Sequence, residues 1–182
     1  MGRPDQGQRR DIGLILSGIA TFASSCYSLR MTDIVFRRAR RSDLPSIVAL
    51  LADDDIGRTR EDASVPLNGK YVDAFDALER DSNQLMAVVE AAGAIVGCVQ
   101  ISFIPGLSRL GMWRGQIESV RIASSQRGEG LGRRLFEWAI AECRNRGCGL
   151  VQLTTDKARP DALRFYESLG FRAGHEGMKL SL

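Results

Sequence analysis

The sequence has few side chains that bind metals. Its 182 residues include one histidine, His175, and four cysteines, none of them in a CxxC pair. Structural zinc sites usually combine such cysteine pairs with further Cys or His ligands, so we expect no metal site. The cysteines fit a reducing cytoplasm better than an oxidising compartment; they are Cys26, Cys98, Cys143 and Cys148.

The sequence also lacks a strong charge imbalance and a long apolar run. The formal net charge is +3, which gives no general attraction to nucleic acid or to an anionic membrane. A mildly apolar stretch within the first 30 residues is interrupted by Gly, Ser and Thr and is too weak for a membrane span. We interpret residues 1–30 as a dispensable or wrongly assigned leader, with a targeting segment or a genuine extension as alternatives, and residues 31–182 as the domain.

Hydrophobic patterning predicts strands and helices along the domain. Apolar and β-branched runs predict strands at residues 34–36, 85–90, 94–104, 116–122, 150–154, 171 and 178–180. Helical spacing predicts helices around residues 43–51, 71–78, 131–143 and 161–168. This order predicts an α/β fold with a mixed, mostly antiparallel sheet of six to seven strands and helices on both faces.

The segment QRGEGLGRR, residues 126–134, has three glycines spaced two apart with arginines on both sides. It lies between a predicted strand and a predicted helix, so the free amides and the positive dipole end of that helix face it. Glycines at 128, 130 and 132 lack Cβ atoms and let phosphate oxygens approach the backbone. The pattern favours a diphosphate site; a plain glycine-rich turn is the alternative.

Two nucleotide-binding motifs do not fit this segment. A Walker A loop requires Lys and then Ser or Thr after its last glycine, whereas Arg133 and Arg134 follow Gly132. A dinucleotide fingerprint has the form G-x-G-x-x-G in the first βαβ unit, but counting from Gly128 puts Arg133 at the third glycine position, late in the chain. The sequence therefore excludes both.

Two motifs resemble those of the GNAT superfamily of acyl-CoA-dependent N-acyltransferases. Arg127-x-x-Gly130-x-Gly132 is similar to the R/Q-x-x-G-x-G/A signature, and FYESLGF at residues 165–171 is similar to the FYxxLGF segment of the family's last helix and strand. The resemblance extends from Met31 to the end of the sequence. It implies splayed central strands, acetyl-CoA as the cosubstrate and a homodimer.

The resemblance also implies which residues bind coenzyme A. The backbone of the strand before the glycine segment would bind pantetheine, and the segment would bind the pyrophosphate. These residues are Val120, Arg121, Ile122, Gln126, Arg127, Gly128, Glu129, Gly130, Leu131, Gly132 and Arg133. Arg159 departs from the family, since many members have Asn at this position, and it is a candidate phosphate ligand.

The resemblance assigns two side chains to catalysis. A primary amine is neutral only about once in a thousand at pH 7, and Glu118 resembles the glutamate that removes the amine proton, directly or through water. An exposed residue or a salt-bridge partner is the alternative for Glu118. Tyr166 resembles the tyrosine that protonates the leaving thiolate; a core tyrosine beside Phe165 is the alternative. A backbone amide near Val120, where the family's strand bulges, is expected to stabilise the oxyanion.

The acceptor is an amine that the sequence does not identify. The loop after the first helix carries carboxylates that would attract a cationic amine, although a solvated acidic loop explains them equally well; they are Asp53, Asp54, Asp55, Glu61 and Asp62. We predict acetyl transfer by direct attack in a ternary complex. The alternative is a non-catalytic acyl-CoA-binding module for regulation or assembly. We expect a cytoplasmic protein without nucleic-acid or membrane partners.

Overall fold

The computed structural model describes residues 34–54, 57–157 and 160–182, together with Met1. The strands are β1 (Ile34–Arg38), β2 (Gln84–Ala91), β3 (Ala94–Ile104), β4 (Trp113–Ile122) and β5 (Cys148–Leu153). The helices are α1 (Leu44–Ala52), α2 (Gly69–Arg80), the single turn α3 (Ser108–Gly111), α4 (Leu131–Asn145) and α5 (Pro160–Ser168). The predicted leader beyond Met1, the carboxylate of Asp55 and the phosphate contact of Arg159 lie outside the described residues.

The sheet is mixed, as predicted. Strands β1 to β4 pair antiparallel in chain order, and β5 lies parallel to β4. Pairing between β4 and β5 ends at Ile117 and Leu153, whereas β4 continues to Ile122. The two strands therefore part beyond Ile117. This confirms the predicted splay and leaves an opening beside the second half of β4.

Helices cover both faces of the sheet, which confirms the predicted layers. On one face, α1 and α2 pack through a cluster that includes Val48, Phe75 and Val88. On the other face, α4 packs through a cluster that includes Leu135 and Ile101. Successive residues of a strand face opposite sides, so each strand contributes to both clusters in alternation. None of the helices in the described ranges has the length and apolar content that a membrane crossing requires.

The predicted sixth and seventh strands are wrong, because the described residues form five strands. Phe171 lies outside any strand, and its ring packs on Phe136 and Tyr166 with centroid separations of 6.4 and 6.2 Å. Met178 and Leu180 alternate as strand residues do, but their side chains are 96% and 86% exposed. With no apolar layer to cover, this alternation does not produce strand pairing.

Candidate active site

A cavity of about 320 Å³ lies where β4 leaves the sheet and α4 begins. After Ile122 the chain makes a 3₁₀ turn, Ser124–Gln126, and the glycine segment then leads into α4. The cavity is lined by Ile122, Gln126, Arg127, Gly128, Gly130, Gly132, Arg133 and Phe165. All of these except Phe165 are residues predicted to bind coenzyme A. Phe165 belongs to the second motif, so a signal for it was present in the sequence.

Within the part of the chain that the structure describes, the glycine segment contains a row of backbone amides without protein acceptors. The φ angles of Gly128 and Gly130 are 86° and 79°, in the left-handed region that favours glycine. Gly130 is the N-cap of α4, and no side chain caps this helix. Within the described ranges, the amides of residues 128–133 donate to no backbone carbonyl. They supply donors, together with the positive end of the helix dipole, beside the cavity.

Two residues of the segment do not contribute side chains to the cavity. Leu131 is 4% exposed and packs in the cluster under α4, so its side chain anchors the start of the helix. Glu129 is exposed and lies outside the cavity lining. Their part in ligand binding would therefore come from the backbone.

Arg127 connects the glycine segment to the end of α1 through hydrogen bonds. Its Nε donates to the Ile122 carbonyl at 3.0 Å, and its Nη2 donates to the carbonyl of Asp53 at 2.7 Å. Asp53 is the C-cap of α1, and its Oδ2 lies 3.3 Å from Arg127 Nη2 and accepts from the Ser124 amide at 2.8 Å. This link has no local signal in the sequence, because it joins residues 74 positions apart.

Arg133 and Arg121 are also engaged within the protein. Arg133 Nη2 donates to Ser168 Oγ at 2.8 Å, which connects α4 with α5 at the rim of the cavity. Arg121 Nε lies 3.5 Å from Asp54 Oδ2, and its Nη1 donates to the Val120 carbonyl at 2.9 Å. Arg127, Arg133 and Arg121 thus make contacts within the protein that hold the surroundings of the segment in place.

β4 carries a bulge at the predicted position. Glu118 lies opposite Gln100 and Arg121 opposite Cys98, so two residues of β4, Ser119 and Val120, face a single residue of β3. Ser119 has a φ of 53°. A bulge interrupts the hydrogen-bond ladder and leaves backbone groups unpaired. The prediction of a bulge near Val120 is confirmed.

Glu118 lies just before this bulge, at the start of the opening between β4 and β5. Its side chain is exposed. Among the described residues it makes no hydrogen bond or ion pair, so the salt-bridge alternative has no support in this part of the chain. Its carboxylate is accessible to a ligand.

Tyr166 lies on α5 within an aromatic cluster. Its ring is partly buried and makes edge-to-face contacts with Phe136 and Phe165, at centroid separations of 5.3 and 5.5 Å. The neighbouring Phe165 lines the cavity. Tyr166 therefore packs in an aromatic cluster, as the core-tyrosine alternative expects, and also lies close to the cavity.

The buried cysteines are poor nucleophiles. Burial raises the pKa of Cys98 and of Cys143 to about 12, so both stay protonated at neutral pH. Since the thiolate is the reactive form, neither is suited to form an acyl-enzyme.

The chain has clear relatives among known proteins. The sequence model of the acetyltransferase (GNAT) family matches residues 46–171. Glucosamine 6-phosphate N-acetyltransferase of Trypanosoma brucei brucei is 34% identical over 157 residues, which are 84% of this chain and 100% of that relative. Aminoalkylphosphonate N-acetyltransferase of Salmonella typhimurium is 30% identical over 105 residues, which are 58% of this chain and 68% of that relative.

A solved structure agrees with the fold. The crystal structure of a transcriptional regulator from Bacillus halodurans C-125 superposes with a TM-score of 0.80 at 48% identity and covers 82% of this chain and 99% of that one. The family match and the two named N-acetyltransferases support an acyltransferase enzyme. The non-catalytic alternative is not favoured.

Proposed function

The chain belongs to the acetyltransferase (GNAT) family, and on this premise we propose how its own residues transfer an acetyl group from acetyl-CoA to a primary amine. The observation that carries the proposal is the row of amides at residues 128–133, which donate to no backbone carbonyl among the described residues and belong to the segment that lines the cavity. Such donors suit a diphosphate, and the left-handed glycines keep Cβ atoms out of its way. Pantetheine then follows the backbone at Val120, Arg121 and Ile122 into the opening between β4 and β5.

Transfer proceeds by direct attack in a ternary complex. Glu118 removes a proton from the acceptor ammonium, directly or through water, and the amine nitrogen attacks the thioester carbonyl. A backbone amide at the bulge near Val120 stabilises the oxyanion. After the new C–N bond has formed, the C–S bond breaks and Tyr166 donates a proton to the leaving thiolate, while the extra proton on the attacking nitrogen passes to the resulting phenolate, directly or through water. The amide product and coenzyme A are released.

The acceptor and the setting complete the proposal. Two relatives are named for small primary amines that carry a phosphate or phosphonate group, which supports a small-molecule acceptor. Free Cys98, Cys143 and Cys148 support a reducing, cytoplasmic location. A homodimer rests on the family resemblance. No metal, nucleic acid or membrane is required by this chemistry.

The test combines binding with turnover. Coenzyme A binding is measured by isothermal titration calorimetry, and acetyl-CoA-dependent thiol release is measured with a panel of small amines. We expect binding and amine-dependent release, with Tyr166→Phe slowing release while the Kd of coenzyme A stays unchanged. Binding without release across the whole panel would instead support a non-catalytic module, and absence of binding would overturn the proposal.

A further inference from the structure

The sheet face under α1 and α2 changes from apolar to polar along its strands. Met86, Val88 and Cys98 lie in the apolar cluster below these helices. Further along the same face lies a group of uncharged polar side chains. This polar belt consists of Gln84, Gln100, Ser102, Gln116 and Gln152.

Strand alternation sets the side on which the polar belt lies. On β4, Ile117 belongs to the cluster under α4, and a Cβ at Gly115 would meet Cys143 of α4. Gln116 and Glu118 flank Ile117, so both face the opposite side. Glu118 therefore shares its face with the belt.

Cross-strand pairs join the polar belt into one row. Gln84 lies opposite Ser102, Ser102 opposite Gln116, and Gln116 opposite Gln152. Ser102 Oγ donates to Gln84 Oε1 at 2.8 Å, and Gln152 Nε2 donates to Gln116 Oε1 at 2.8 Å. Amide and hydroxyl groups both donate and accept hydrogen bonds. The row therefore suits a ligand with hydroxyl or amide groups.

The polar belt ends at the opening between β4 and β5. Gln116 and Gln152 are next to Ile117 and Leu153, the last pair before the strands part. Glu118 is the next residue of β4 on the same face. A molecule on the belt would thus have one end beside the carboxylate proposed as the base.

Arg114 places a positive charge at the other end of this row. It lies two residues before Gln116, opposite the apolar Ile104 and Leu150. Its side chain is half-buried, and it has no hydrogen-bond or ion-pair partner within the described ranges. A guanidinium in this situation gains from a carboxylate or phosphate, which match its fork of donors.

We infer that the polar belt, Glu118 and Arg114 form the acceptor site, and that the acceptor is a small primary amine with an oxyanion at the end away from the amine. The inference rests on the proposed function, because it takes Glu118 as the reacting end. The Cα atoms of Arg114 and Glu118 are about 13 Å apart along the strand. Because the arginine side chain is long, the distance between the amine and the anion of a bound acceptor can be shorter than this Cα–Cα separation.

The same charges argue against a polyamine. A second ammonium group would lie near Arg114 and be repelled. Two carboxylates of the acidic loop are already paired with arginines, Asp53 with Arg127 and Asp54 with Arg121. These carboxylates are used to hold the glycine segment and β4.

The test compares matched amines by kcat/KM for thiol release. The panel contains 3-aminopropylphosphonate, 4-aminobutyrate and glucosamine 6-phosphate, with 3-aminopropanol, 1,3-diaminopropane and glucosamine as counterparts without an anion. We expect the anionic member of each set to be preferred by about tenfold or more. Arg114→Ala should lower kcat/KM for the anionic amines and thereby abolish this preference. A higher kcat/KM for 3-aminopropylphosphonate than for 4-aminobutyrate would identify the preferred anion as a phosphonate or phosphate.

Two variants make the test specific. Arg144→Ala removes an exposed arginine from α4, on the opposite face, and should keep the preference. Gln152→Glu adds a carboxylate to the polar belt and should reduce the preference while coenzyme A binding is retained. Equal use by the wild type of amines with and without an anion, or an equal effect of Arg114→Ala on both groups, would overturn the inference.

The inference can fail separately from the proposed function. If coenzyme A binds but no amine reacts, the proposed function fails. Binding of 3-aminopropylphosphonate in the presence of coenzyme A, measured by calorimetry, then decides the inference alone. Arg114→Ala should weaken this binding by about tenfold, and unchanged binding would contradict the site.

Discussion

Gly130→Ala tests whether main-chain amides bind the diphosphate of coenzyme A. Alanine at this position has to adopt a φ of 79°, which costs about 1–2 kcal/mol of folding stability. Apart from Gly130 itself and its neighbours along the chain, no atom of the described residues lies within 4 Å of the place that its Cβ would take, and the residue lines the cavity. The protein therefore has room for the methyl group, but the methyl group occupies space that phosphate oxygens need.

We expect Gly130→Ala to weaken coenzyme A binding by about 100-fold. Two lost charge-assisted hydrogen bonds at about 1.5 kcal/mol each amount to about 3 kcal/mol, and about 1.4 kcal/mol is a factor of ten. Calorimetry measures the Kd. Acetyl-pantetheine lacks the diphosphate, so variant and wild type should use it with the same kcat/KM.

Gly93→Ala is a matched control. Gly93, in the turn between β2 and β3, also has a φ of 79°. Apart from Gly93 and its chain neighbours, no atom of the described residues lies within 4 Å of the place that a Cβ would take there. The free energy of unfolding, measured with urea, should fall by a similar amount in both variants, whereas only Gly130→Ala should lose affinity. An unchanged affinity in Gly130→Ala would refute the reasoning, and so would an equal loss in both variants.

Three further predictions concern stability and catalysis. Hydrogen bonds from Arg37 to Asp43 at 2.7 and 3.1 Å hold the pKa of this carboxyl below its usual value. The stabilisation from these bonds is present above about pH 4 and is lost as the pH falls further. Asp43→Asn should therefore lower the free energy of unfolding by about 1.5–3 kcal/mol at pH 7 and by less at pH 3. A loss of the same size at both pH values, measured by urea denaturation, would contradict this. Gly115→Ala would bring a Cβ to within 2.3 Å of Cys143 Sγ and should lower Tm, with partial recovery when Cys143→Ala is added. Glu118→Gln should reduce kcat/KM by about 10²–10⁴ at pH 7 and by less at pH 9, where more of the amine is already neutral, with an unchanged Kd for coenzyme A; an equal reduction at both pH values would argue against a base.

The part of the site that is contiguous in sequence could be predicted, because its physics is local. Left-handed glycines, an uncapped helix start and a preceding strand occur within residues 122–134, so the pattern alone indicates an anion site. The bulge near Val120 was anticipated through the family resemblance. The C-terminal strands were not predicted correctly. Alternation at Met178 and Leu180 indicates only a tendency to form a strand, and strand pairing also requires an apolar surface against which these exposed side chains could pack.

Contacts between residues distant in sequence determine the roles of the acidic loop and of the polar belt, which local sequence patterns do not reveal. The carboxylates after α1 have the composition of a cation-attracting rim, yet Asp53 and Asp54 pair with arginines that are distant in sequence. The polar belt had no sequence signature either, since its five side chains come from four different strands. Only the register of the sheet brings them together.

The arginines and glycines of the segment look equally suited to phosphate when only the sequence is considered, but the fold gives them different tasks. Arg127 directs its donors to Asp53 and Ile122, and Arg133 donates to Ser168. Among the described residues, the amides of residues 128–133 remain available as hydrogen-bond donors, because the N–H groups at the start of a helix have no acceptor within the helix. If coenzyme A binds here as proposed, its recognition depends on a backbone shape that the arginines maintain, so a single methyl group at Gly130 should cost more affinity than its small size suggests.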